Sequence, residues 1–214
     1  RESVESDLFG SIFHKLMEKI YSRYKSKTIT PDALTAIAKD DALLTRLLEE
    51  AFAEYYFKRK DDPRPLVGQH YLIGEILRSY VKQTLEMDKQ FTPFEFVAAE
   101  YRFGQDMPYR LSDNLIVNFK GIIDRIDRVG DSYRILQVFV YALFYAREYP
   151  DVQLSPAIYY LRAIFNDLST VVTCNKRPVP DISVFMEEFQ SLFNDCLAEI
   201  FKSGNFLIQR HFRL

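Results

Sequence analysis

The stretch Gly121-Ile122-Ile123-Asp124-Arg125-Ile126-Asp127-Arg128, followed by Val129-Gly130-Asp131-Ser132 and Tyr133-Arg134-Ile135-Leu136, decides the fold class. Isoleucines and charged residues interleave with a period near two, which is the pattern of a β-strand. Gly130-Asp131 supplies hairpin-turn chemistry, so a further strand starts at Tyr133. From Gln137 to Arg147 the spacing becomes helical, with Val138, Tyr141, Ala142 and Tyr145 on one stripe. Strand, turn, strand and helix in close succession imply an α/β protein.

Working outward, the first ninety residues read as helices. Phe9, Ile12, Phe13, Leu16, Ile20 and Tyr24 recur at helical spacing over residues 7–25. Thr30-Pro31 is an N-cap with proline at the first helical position, and Asp40 caps the next helix. The polar run from Lys58 to Pro65 reads as a loop. A longer helix from about Gly68 to Met87 carries Leu72, Ile76, Leu77, Tyr80 and Val81. Downstream, Phe94–Phe103 and Leu115–Val129 read as strands around a polar turn region at 104–113, and Ala157–Phe165 as a fourth strand. Asp181 caps a closing helix that bears Phe185, Phe189, Leu192, Phe193, Cys196 and Ile200. One domain over 1–214 is expected, made of a helical lobe (1–90) and an α/β core with its closing helix (91–214).

Only 7 glycines stand against 18 Phe and 14 Tyr among 214 residues, which favours long helices over a many-stranded sandwich. Cys174 and Cys196 fit neither a disulfide framework nor a zinc motif, so a reducing compartment, the cytoplasm, is expected. No apolar run is long enough to span a bilayer. A formal charge of −2 removes any bulk-charge argument for nucleic-acid or membrane binding and leaves room only for a local basic groove. Arg1 suggests a domain excised from a longer chain.

Four constellations can carry chemistry. Asp124 is interleaved with isoleucines, and a carboxylate there needs a compensating cation, Mg²⁺ among them, unless the strand is solvent-facing and laced with ion pairs. His14, in Phe9-Gly10-Ser11-Ile12-Phe13-His14, flanks an apolar helix stripe. Gly10 one turn earlier lets a backbone or ligand approach the imidazole, although a lone helical histidine is more often structural. Gln137 and Tyr141, at i and i+4, offer an amide and a hydroxyl on one helix face. Glu100, in Ala98-Ala99-Glu100-Tyr101-Arg102-Phe103, is either another metal-side carboxylate or half of a rim salt bridge.

The order of these pieces resembles the RecB/AddB-type branch of the PD-(D/E)XK nucleases: F-G-x-x-x-H on a helix, a glutamate on a strand, G-x-x-D-R-x-D on the next strand, then Q-x-x-x-Y on a helix. The resemblance covers about residues 9–165 and the closing helix. It implies a restriction-endonuclease-like core, a mixed central sheet flanked by helices with a helical N-terminal extension, and metal ligands at His14 and Asp124. It further implies that Gln137 and Tyr141 orient catalytic groups and that Glu100 is the acid of the preceding strand. The implied activity is Mg²⁺- or Mn²⁺-dependent hydrolysis of DNA phosphodiesters, of exonuclease type. The implied partners are DNA and a helicase domain or subunit of a repair complex, with no membrane. Lys120, Arg125 and Arg128 are the cations expected to meet the DNA backbone.

The sequence departs from that family at one position. The pattern places D/E-x-K directly after a short apolar strand, where Leu136 here meets Gln137. Turn chemistry is also missing there, since none of Gly, Pro, Asn, Asp or Ser lies at the junction. Either a segment belongs between the two residues, or a deletion leaves an inactive DNA-binding or structural module of the same fold, or an element is misassigned. A helical interaction protein with ordinary surface groups at His14 and Asp124 is a further reading. Neither cysteine fits the iron–sulfur segment found in AddB-type members.

Overall fold

A computed structural model describes residues 2–103, 108–136, 139–158, 165, 172–174 and 177–202. Its main sheet has five strands in the order β1 (Thr28–Ile29), β2 (Phe94–Phe103), β5 (Gly121–Val129), β6 (Ser132–Leu136) and β7 (Gln153–Ala157). β1 runs antiparallel to β2, whereas β6 and β7 are parallel, with Ser132 opposite Gln153 and Leu136 opposite Ala157. The sheet is therefore mixed, helices flank it and the N-terminal part is helical, as expected. β3 (Pro108–Ser112) and β4 (Leu115–Asn118) form a separate antiparallel ribbon, and so do β8 (Thr173–Cys174) and β9 (Arg177–Pro178).

The chain falls into two compact units. The first comprises Arg1–Ala99, Asp127–Gly130 and Tyr159–Thr170. It contains α1 (Glu2–Ser22), α2 (Pro31–Lys39), α3 (Asp41–Tyr55) and α4 (Gln69–Asp88). The Thr30 side chain accepts from Ala33 N at 3.2 Å, and Asp40 Oδ1 accepts from Leu43 N at 2.9 Å. Each satisfies an amide that a helix start otherwise leaves unpaired, so both caps fall where the sequence puts them. The core of this unit is built from Ile12, Leu16, Ile20, Leu48, Phe52, Leu77 and Val81, all buried. On α4 the buried face runs through Gly74, Leu77, Val81, Leu85 and Asp88. Leu72 and Ile76, assigned to the stripe on sequence, are 63% and 50% exposed. Their positions lie off the face that Gly74, Leu77 and Val81 define at the 3.6-residue period.

The second unit comprises Glu100–Ile126, Asp131–Ile158 and Val171–Leu214. It holds α5 (Phe139–Glu148) and α6 (Ser183–Lys202). The segment Leu115–Val129 is two strands and not one, because the chain leaves the ribbon at Phe119. That ring packs against Tyr109, Phe144 and Phe193, at centroid distances of 5.9, 5.0 and 5.4 Å. Tyr109, buried in the same cluster, belongs to β3, a strand within the region expected to be a polar turn. The strand expected at Ala157–Phe165 lies further upstream, as β7 at Gln153–Ala157, the fifth strand of the main sheet. Ser155-Pro156 reads as a breaker, yet β7 ends the strand order, where a proline costs no ladder bond. Residues 159–164 lie outside the described residues. Gly130, at φ 60°, makes the hairpin turn between β5 and β6 in the left-handed region that glycine adopts freely. Asp181 accepts from Ser183 N at 3.0 Å where α6 begins.

Candidate metal centre

α1 fixes His14 through its neighbours. Ile12, Phe13, Leu16 and Met17 are buried in the helical core, so the helix cannot rotate and His14 stays on the flank of the stripe, half-buried. Its ring meets Phe13 edge-on, with centroids 6.2 Å apart. At Gly10, one turn earlier, an added Cβ would find nothing within 4 Å, so this side of the helix is open.

Asp124 sits on β5, the middle strand of the main sheet. Ile123, Arg125, Ile126 and Asp127 are buried, while Ile122 and Arg128 are exposed. Simple alternation therefore holds only at the start of the strand; further along both faces are covered, as suits a central strand. Asp124 is half-buried, as is Glu100 on β2. Glu100 has φ 51°, a left-handed backbone in the middle of a strand. A non-glycine residue there is strained, and such strain re-aims a side chain and gathers at functional positions.

His14, Glu100 and Asp124 each present one ligand atom, and these atoms all lie within 4.8 Å of one another. One imidazole nitrogen and two carboxylate oxygens make a hard, anionic donor set of the kind that holds Mg²⁺ or Mn²⁺. Two carboxylates this near each other repel, and a divalent cation removes the repulsion.

Tyr141, on α5, is buried. Burial first, and then the charge of Asp124, hold its hydroxyl above the ordinary tyrosine pKa, so it is a protonated donor at neutral pH. Gln137, its expected companion, lies outside the described residues. β6 ends at Leu136 and the described helix α5 begins at Phe139. Of the three cations expected to face DNA, Lys120 is exposed and Arg128 is ion-paired with Glu95 at 2.6 Å. Arg125 is only 5% exposed. A recess of about 470 Å³ on the helical unit, lined by Lys15, Lys19, Glu50 and Glu54 among others, does not include His14. Lys15 and Lys19 are already paired there with Glu18 and Glu50.

Local spacing gives no sign of the left-handed backbone at Glu100, because neither Gly nor Asn marks the position. No helix among the described residues is long and apolar enough to cross a membrane. No curated protein matches the chain. A family model does: that of the PD-(D/E)XK nuclease superfamily aligns with residues 1–211, nearly the whole length, and the chain belongs to this superfamily.

Proposed function

We propose that this chain is the nuclease domain of a RecB/AddB-like DNA repair protein, a Mg²⁺- or Mn²⁺-dependent deoxyribonuclease of exonuclease type. The observation that carries the reading is the set of three donors from His14, Glu100 and Asp124 in a member of a nuclease superfamily. A divalent cation bound there supplies Lewis-acid polarisation of a phosphodiester and a more acidic water. The chain's own residues supply the rest. Asp124 and Glu100 provide the negative charge that concentrates the cation, and the His14 imidazole completes the set from the open side of α1. Tyr141 donates its hydroxyl proton toward Asp124 or a phosphate oxygen and orients the site, a role it shares with Gln137 in the family pattern. Lys120 and Arg128 meet the DNA backbone, Arg128 by exchanging Glu95 for a phosphate. A single domain acting in the cytoplasm next to a helicase domain or subunit fits this role.

The alternative reading is an inactive module of the same fold. The acid and lysine of D/E-x-K have no counterpart between Leu136 and Gln137. Without them the same fold serves as an inactive DNA-binding or structural module. Incubation with linear DNA in Mg²⁺, Mn²⁺ or chelator separates the two. The nuclease reading expects degradation only with metal, lost in Asp124→Ala. A protein that never cuts with either metal, while still binding DNA, is the inactive module.

A further inference from the structure

The helical unit carries a surface that the metal centre does not use. At the end of α3, Tyr56 and Phe57 are 43% and 41% exposed, and Tyr71 in the first turn of α4 is 53% exposed. The imidazole of His70 holds the first two edge-on, 4.5 Å from the Tyr56 ring and 5.2 Å from that of Phe57. Tyr56 and Phe57 are themselves 5.0 Å apart at 77°. These rings are braced by one another while part of each remains in water. Immediately after them come Lys58, Arg59 and Lys60, all exposed. The chain turns there by a left-handed residue, Lys58 at φ 54°, and Arg59 N donates to Ala53 O at 2.7 Å. The turn thus places three consecutive cations beside the aromatic cluster; Asp61 and Asp62 follow, and Asp62 is paired with Arg64 at 2.6 Å, which leaves the segment net positive.

We infer that this surface binds single-stranded nucleic acid, its exposed rings stacking bases and its cations meeting phosphates. Base-on-ring stacking tolerates any sequence and adds to a basic track along the backbone. A duplex keeps its bases stacked on one another and offers such rings only its phosphates. A nucleic-acid strand is a polyanion, and its phosphates match the adjacent cations. The identity of the ligand rests on the nuclease reading, which this inference sharpens from DNA in general to an unpaired strand.

The test is fluorescence anisotropy of the full chain with labelled oligothymidylate, about twenty nucleotides long, and a duplex of the same length, both in chelator so that cleavage plays no part. Phe57→Ala and Tyr56→Ala are each expected to weaken oligothymidylate binding by about tenfold and to leave duplex binding unchanged. Lys58→Gly removes one cation and gives the left-handed position to the residue that prefers it, so its melting temperature is expected to hold or rise. Its salt dependence on single strands is expected to fall by about 0.7 in log–log slope. Unchanged binding in both aromatic variants, or equal losses on single strand and duplex, overturns the inference. So does a parent protein that ignores oligothymidylate, which would give the face to a protein partner. Binding without cleavage in a parallel Mg²⁺ and Mn²⁺ assay defeats the nuclease reading alone; cleavage with unaltered aromatic variants defeats the platform alone.

Discussion

The Tyr141 hydroxyl on α5 feels the Asp124 carboxylate on β5: after burial, that charge is what holds the phenol protonated. The two residues therefore differ in what their removal costs. Tyr141→Phe keeps the ring and loses one hydrogen-bonding group, so cleavage is expected to slow by about two- to tenfold, the worth of a single hydrogen bond. Asp124→Ala removes an anionic donor and is expected to reduce cleavage to background. Metal-dependent degradation of linear DNA measures both. If Asp124→Ala cuts as fast as the parent, the site is elsewhere.

Metal binding has its own readout, independent of turnover. A ligand present at about 100 times its dissociation constant stabilises the folded state by about 2.7 kcal/mol, which at this size raises the melting temperature by about 5–10 °C. Mn²⁺ is expected to do this for the parent. Asp124→Ala should lose the shift, and His14→Ala should need more Mn²⁺ for it. Equal shifts in all three proteins would dismiss the donor set.

How much of this is legible in the sequence depends on the range of the interaction. Thr30 and Asp40 act within three residues, and both caps can be read directly. β2 is bounded at Phe94 and Phe103 on β-branched and aromatic content alone. His14 and Asp124 are 110 positions apart, and no local period links them; only the order of motifs along the chain does. What escapes is whatever depends on burial decided at a distance. Pro108 hides β3 because the partner strand β4 defines it, and Ser155-Pro156 hides β7 because only its place at the sheet edge makes the proline tolerable. Leu72 and Ile76 look like core because apolar residues on α4 outnumber the positions its buried face can take.

Within the helical unit, Tyr21 donates its hydroxyl proton to Asp88 Oδ2, both residues being fully buried and far apart in sequence. The bond ties α1 to the end of α4. Tyr21→Phe keeps the ring stacked on Phe96 but withdraws a donor from a buried carboxylate. Leaving a buried polar group without its partner costs about 1–3 kcal/mol, so the melting temperature is expected to fall by about 2–12 °C. A melting temperature unchanged within error would mean that the other groups around Asp88 carry it unaided.

High pH tests the second unit in the same way. Tyr101 donates to Glu148 Oε1 at 2.8 Å, and Tyr145, Tyr149 and Tyr133 pack beside it. Burial, followed by the neighbouring Tyr149, Tyr133 and Glu148, pushes Tyr145 up to about 12. Burial and its bonds to Tyr149 and Glu148 likewise hold Tyr101 well above the usual range. An unfolded tyrosine titrates near 10, so between about pH 10 and 12 the folded state binds more protons than the unfolded one. Stability must then fall as pH rises through that window, since its slope with pH follows the protons bound by the unfolded state minus those bound by the folded state. The stabilisation is complete below about pH 10 and is lost progressively above it. Tyr145→Phe cannot ionise and is expected to flatten the decline between pH 10 and 12 while leaving stability at pH 7 nearly unchanged. Denaturant unfolding of parent and variant at half-unit steps of pH measures the difference. A parent whose stability does not change across this range would remove Tyr145 as a buried, protonated member of the cluster.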